Sequence, residues 1–121
     1  MTLSARNWAW DVGQRAARPS EGDAGDRVAL KPGEKLVLLC IAEHENAEEG
    51  YAYPSYERIA QRTGLSVRSV QEHVKTLEFT GAFKIERRRR RDGQYYRHLY
   101  LLNVPDEYRS ADPAWTGQQP Y

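Results

Sequence analysis

The longest apolar run of the chain, Leu36-Val37-Leu38-Leu39-Cys40-Ile41-Ala42, would be apolar on nearly every side of a helix, which suits a helix enclosed by others. A buried strand would show a similar run, but Glu34, Lys35, Glu43 and Glu45 extend the segment to helical length. Pro32 stands near its first helical position, where a missing N–H costs little. Further on, Tyr56, Ile59, Ala60 and Thr63 recur at i, i+3, i+4 and i+7, one stripe of a second helix that Ser55 caps and Gly64 ends. A third helix follows: Ser66 caps it, and Val67, Val70, Val74 and Leu77 form its apolar stripe.

Only Leu65, read as a core plug, separates the Gly64 stop from the Ser66 cap. So short a link forces the two helices to cross steeply, as in a helix-turn-helix. Beyond Gly81 the pattern changes period. Ala82-Phe83-Lys84-Ile85-Glu86 begins a strand, Asp92-Gly93 is a hairpin-turn signal, and the return strand runs from Gln94 to Val104 before Pro105. A two-residue turn would pair Ile85 with Tyr100. A three-residue turn would pair Ile85 with Leu99 and Phe83 with Leu101, which places four apolar residues on one face and is the expected register. Tyr51-Ala52-Tyr53, in the loop before Pro54, predicts a short strand at a sheet edge. The pattern as a whole predicts an α+β winged helix-turn-helix, three helices plus a C-terminal β-hairpin wing.

The flanks show less. Trp8, Trp10 and Val12 alternate as on one side of a short strand, and residues 13–27 show no apolar period and read as a linker. The predicted division is an N-terminal arm and linker over 1–29, a winged-helix domain over 30–105 and a flexible acidic tail over 106–121, with Trp115 as the tail's one anchor.

The net charge of +1 hides a segregation. Residues 1–50 carry six Lys/Arg and nine Asp/Glu, residues 51–104 carry eleven and five, and residues 105–121 carry one and three. The cationic block coincides with the helix pair and the hairpin, which is the electrostatic footprint of a polyanion partner. With its stripe buried, the third helix turns Arg68, Ser69, Gln71, Glu72 and Lys75 outward from its N-terminal half. In this architecture that half enters the DNA major groove, where arginine can read guanine and glutamine can read adenine. Arg68 and Gln71 are therefore the candidates for base contact. The run Arg87, Arg88, Arg89, Arg90 and Arg91 would repel itself at a hairpin tip, and a phosphate backbone relieves that repulsion. Tyr95, Tyr96 and Arg97 opposite add stacking and hydrogen-bonding groups. Ser55 and Ser66, at the two helix starts, complete the candidate DNA-binding set.

Tyr53-Pro54-Ser55-Tyr56-Glu57-Arg58-Ile59-Ala60, Thr63-Gly64-Leu65-Ser66-Val67-Arg68-Ser69-Val70 and Leu77-Glu78-Phe79-Thr80-Gly81-Ala82-Phe83 together resemble winged-helix domains, similar to those of phage and plasmid replication initiators and mobile-element regulators. The resemblance implies that Pro54 and Ser55 start the second helix and that Ser66, Arg68, Ser69 and Val70 begin the recognition helix. The sequence departs from that pattern in Ala82-Phe83, where an aliphatic pair is common, and in its arginine-dense wing.

Other chemistries find little footing. Cys40 and His44 stand at i and i+4, but there is no second cysteine and only His73 and His98 besides, so a four-ligand zinc site lacks conventional partners. Cys40 is expected in the core. No nucleophile-base motif or glycine-rich phosphate loop occurs, so neither an enzyme nor a cofactor is expected. No run approaches the roughly 20 apolar residues of a membrane helix, and Met1–Trp10 does not read as a signal peptide, so a cytoplasmic protein is expected. The expected partner is double-stranded DNA, met as a transcriptional regulator or a replication or recombination accessory factor. A homodimer through Trp8 and Trp10 is also expected, since one recognition helix reads only a few base pairs. The alternative is a protein-interaction or RNA-binding module.

Overall fold

The computed structural model describes residues 2–89 and 96–115, with residues 88, 89, 96 and 97 by their backbone alone. In chain order the elements are α1 (Leu3–Asp11), β1 (Gln14–Ala16), β2 (Arg27–Ala29), α2 (Pro32–Glu43), α3 (Tyr56–Thr63), α4 (Val67–Phe79), β3 (Phe83–Arg89), β4 (Tyr96–Leu102) and α5 (Asp106–Ser110).

The three predicted helices form as α2, α3 and α4, with the predicted punctuation. The Ser55 hydroxyl accepts the Arg58 N–H at 3.0 Å and the Ser66 hydroxyl accepts the Ser69 N–H at 3.1 Å. Gly64 ends α3 at φ 80°, in the left-handed region where glycine alone is unstrained. Val37, Leu38 and Ile41 of α2 meet Ile59 of α3 and Val70, Val74 and Leu77 of α4 in one buried cluster. Val67 departs from the predicted stripe: at the first turn of α4 it lies beyond the reach of that cluster and is exposed.

The hairpin takes the other register. Phe83 pairs with Leu102, Ile85 with Tyr100 and Arg87 with His98, so the expected pairings of Ile85 with Leu99 and Phe83 with Leu101 are corrected. The core face is still four apolar residues, now Phe83, Ile85, Tyr100 and Leu102. Two contacts select it. The rings of Phe83 and Tyr100 meet edge to face at 5.2 Å, and Ala52 exchanges backbone hydrogen bonds with Tyr100 at 3.0 and 2.7 Å. The predicted strand around Tyr51–Tyr53 is thus a single bridge to β4 at Ala52. Leu99 falls on the opposite face and is buried outside the main cluster. The predicted Asp92-Gly93 turn lies outside the described residues.

The flanks are corrected more deeply. The predicted N-terminal strand is a helix, α1, in which the Thr2 hydroxyl accepts the Ala5 N–H at 3.3 Å. Helical geometry separates the two tryptophans: Ala5, Trp8 and Ala9 are buried against α2, whereas Trp10 faces outward. The predicted linker holds the antiparallel pair β1–β2, with Arg15 opposite Val28. Its inward residue is Arg15, which donates to both Glu34 oxygens at 2.8 and 3.1 Å and to both Glu21 oxygens at 2.8 Å. A segment held by a buried cation carries no hydrophobic period. The predicted loose tail forms α5, whose Arg109 donates to both oxygens of the fully buried Glu45 at 2.7 and 2.8 Å. Thr2, Ser4 and Asp112 join that network, and the Arg109 guanidinium stacks 3.5 Å from the centre of the Trp115 ring. The expected arm and the tail as far as Trp115 are therefore strapped onto the helical core by two polar networks.

Candidate nucleic-acid interface

The turn between α3 and α4 is built from Gly64, the half-buried Leu65 and the Ser66 cap. Because Val70, Val74 and Leu77 are turned into the core, the opposite side of α4 must face solvent. Arg68, Gln71, Glu72 and Lys75 are all exposed there. Arg68 Nε lies 3.6 Å from Glu72 Oε1, with the two side chains 89% and 66% exposed. An ion pair that open to water holds its partners weakly, so Arg68 is free to exchange it for another acceptor.

The serines serve a different purpose. Ser55 and Ser66 each spend the hydroxyl oxygen on the N–H of the third residue of the helix that follows, and Ser69 accepts a hydrogen bond from the Ser66 hydroxyl at 3.0 Å. They set where each helix begins and leave the outward reach to the longer side chains.

The wing approaches the start of α3. Tyr56, the first residue of α3, meets the His98 ring of β4 edge to face at 5.4 Å, and Arg87 pairs with His98 across the hairpin. Burial, then the Arg87 charge, push the His98 imidazole below its ordinary value. Burial raises the Tyr56 phenol and the same arginine opposes that rise. The described part of the arginine run therefore carries its charge toward the helix pair. Arg88, Arg89, Tyr96 and Arg97 are placed by backbone pairing, Arg88 with Arg97 and Arg89 with Tyr96. Arg90, Arg91 and Tyr95 lie outside the described residues.

Further cations, outside the predicted set, stand on the same elements. Arg58 and Arg62 of α3 and Lys84 of β3 are exposed. Arg58 donates to Gln61 and Arg62 to Glu43, each at 3.2 Å. Their signal was present in the stripe of α3: basic residues at positions left over once Tyr56, Ile59, Ala60 and Thr63 turn inward.

Cys40 is buried, and burial raises its thiol above the ordinary value. His44 is hydrogen-bonded through Nδ1 to the Cys40 carbonyl oxygen at 2.8 Å, which fixes its ring to the helix end. Among the described residues no cluster of three or more potential metal ligands occurs, and no helix is long and apolar enough to cross a membrane.

Two capped helices joined by a glycine turn, with a basic hairpin beside them, define a winged helix-turn-helix of the DNA-binding kind. Residues 29–81, from the end of β2 to the glycine that closes α4, match the family model of a helix-turn-helix domain. No curated protein and no solved structure matches the chain. The matched segment omits α1, most of the β1–β2 hairpin, the β3–β4 wing and α5, which are this chain's surroundings for the shared domain.

Proposed function

We propose that this protein binds double-stranded DNA sequence-specifically, with the outward side of α4 in the major groove and the arginine-rich hairpin on the phosphates. It would serve as a transcriptional regulator or as a replication or recombination accessory factor of a mobile element. The observation that carries this reading is the solvent side of α4, where Arg68, Gln71, Glu72 and Lys75 stand together on a helix within the matched helix-turn-helix segment. Arg68 and Gln71 have the donor geometry to read base edges, whereas wing arginines meet phosphates that are alike on every sequence.

The two elements should fail differently. On a duplex selected by the protein from a random pool, Arg68→Ala or Gln71→Ala should cost about 1 to 3 kcal/mol, with little effect on random duplex. Replacing Arg88, Arg89 and Arg90 with alanine should weaken both duplexes and flatten the slope of log affinity against log salt by about two to three units. Fluorescence anisotropy on both duplexes across a salt series checks this. A wing variant that loses only specific binding and keeps its salt slope would refute the division of labour.

Pairing of two copies on paired half-sites extends the reading. Trp8 is committed to its own core, so the contact we propose centres on Trp10, 61% exposed, with Leu3 on the same side of α1. Sedimentation of the Trp10→Ala variant on and off DNA tests it, and an oligomeric state unchanged from the parent removes α1 from the contact.

A further inference from the structure

A cavity of about 210 Å3 opens where the end of α1, the β1–β2 hairpin, the end of α4 and the start of β3 meet. Part of its wall is apolar: Val12, Leu30 and Ala82 line it half-buried, with the core residues Trp8 and Leu77 behind them. Its rim is polar, with exposed Arg27 and Asn103. Among the described residues, the Arg27 side chain has one hydrogen-bond partner, the Gln14 carbonyl oxygen at 3.3 Å, and no carboxylate. Arg15, also on the wall, is already neutralised by Glu21 and Glu34. Among the described residues, the cavity therefore joins a partly apolar wall to one cation without a counter-charge.

We propose that this cavity binds a small organic carboxylate with a compact apolar body. A guanidinium recognises a carboxylate through two parallel charge-assisted hydrogen bonds, and burial of the ligand's apolar body against the half-buried Val12, Leu30 and Ala82 supplies the rest. Inorganic phosphate or a nucleic-acid backbone would leave that part of the wall uncovered. The volume lies below the roughly 300 Å3 at which sites for drug-sized ligands begin, so the body is limited to about one ring. The site shares no residue with the outward side of α4: it takes Leu77 from the last turn of that helix and Thr80 from its C-cap, whereas Arg68 and Gln71 stand near its start. Ligand and DNA binding are thus separate questions.

The test is an NMR titration of the full chain, without DNA, with benzoate, phenylacetate and cyclohexanecarboxylate, each beside its neutral amide. At least one carboxylate should give saturable shifts centred on the Trp8 indole N–H, Leu77, Ala82 and Asn103, and its amide should bind about tenfold more weakly. Arg27→Ala, a change at an exposed position, should bring that carboxylate down to the level of its amide. The proposal is overturned if none of the three saturates, if the shifts centre on the arginines of the wing, or if Arg27→Ala leaves the affinity unchanged.

Discussion

Arg109, near the C-terminus, grips the carboxylate of Glu45, just beyond α2, through two hydrogen bonds at 2.7 and 2.8 Å, and the two side chains are 7% and 0% exposed. An ion pair this enclosed is dangerous to break from one side, because the partner left behind is a buried charge without compensation. Arg109→Ala, or truncation after Val104, should destabilise the protein by about 3 to 5 kcal/mol. Urea unfolding followed by tryptophan fluorescence checks this, and a loss below about 1 kcal/mol would place Glu45 in contact with water once Arg109 is gone.

The Arg15 network predicts an acid dependence. Burial acts to raise the Glu34 carboxyl, but the hydrogen bond from Arg15, then that from the Lys31 N–H and the Arg15 charge, outweigh it and hold Glu34 below its ordinary value. Glu21 is held low chiefly by its hydrogen bond from Arg15. A carboxyl lowered on folding contributes stability that is complete above its unfolded-state pKa, about 4.3 for glutamate, and that is lost as pH falls through the folded value. Urea midpoints should therefore begin to fall below about pH 4.3. The Glu21→Gln, Glu34→Gln double variant should be less stable at pH 7 yet lose less on acidification. Parallel profiles for parent and variant would show that the network contributes nothing to acid sensitivity.

A third prediction concerns the seat of the recognition helix. A Cβ added at Gly33, in the first turn of α2, would stand 2.5 Å from Nε2 of His73 on α4. Gly33→Ala should force the half-buried imidazole aside and cost about 1 to 3 kcal/mol, the usual penalty of overpacking. In a His73→Ala background the same change should be nearly neutral or stabilising, since a helical alanine is favoured over glycine. A double-mutant cycle by thermal unfolding measures the coupling, and additive effects would show that His73 turns away without cost.

The sequence alone determined the helix-turn-helix, because everything that defines it is local. Ser55 and Ser66 each satisfy one first-turn N–H of the helix that follows, Gly64 supplies the left-handed turn between, and the apolar stripe of α4 decides by geometry that Arg68, Gln71, Glu72 and Lys75 face water. Such signals lie within one or two helical turns of the residues they govern. The flanks and the hairpin register were decided only by tertiary structure. Trp8, Trp10 and Val12 fit a two-residue alternation, and what withdraws Trp8 while leaving Trp10 outside is the fit of Ala5 and Ala9 against α2. Residues 13–27 and 106–115 hold their places through Arg15 on Glu34 and Arg109 on Glu45, 19 and 64 positions apart in sequence. A pattern of hydrophobicity counts each of those four charged side chains as solvent-facing, because burying a charge is favourable only when its counter-charge is already in position, and the folded chain brings the two together. The register turned on the same kind of distant fact: both pairings offered four apolar residues to the core, and Ala52, arriving from the loop before α3, bonded to Tyr100 and decided between them.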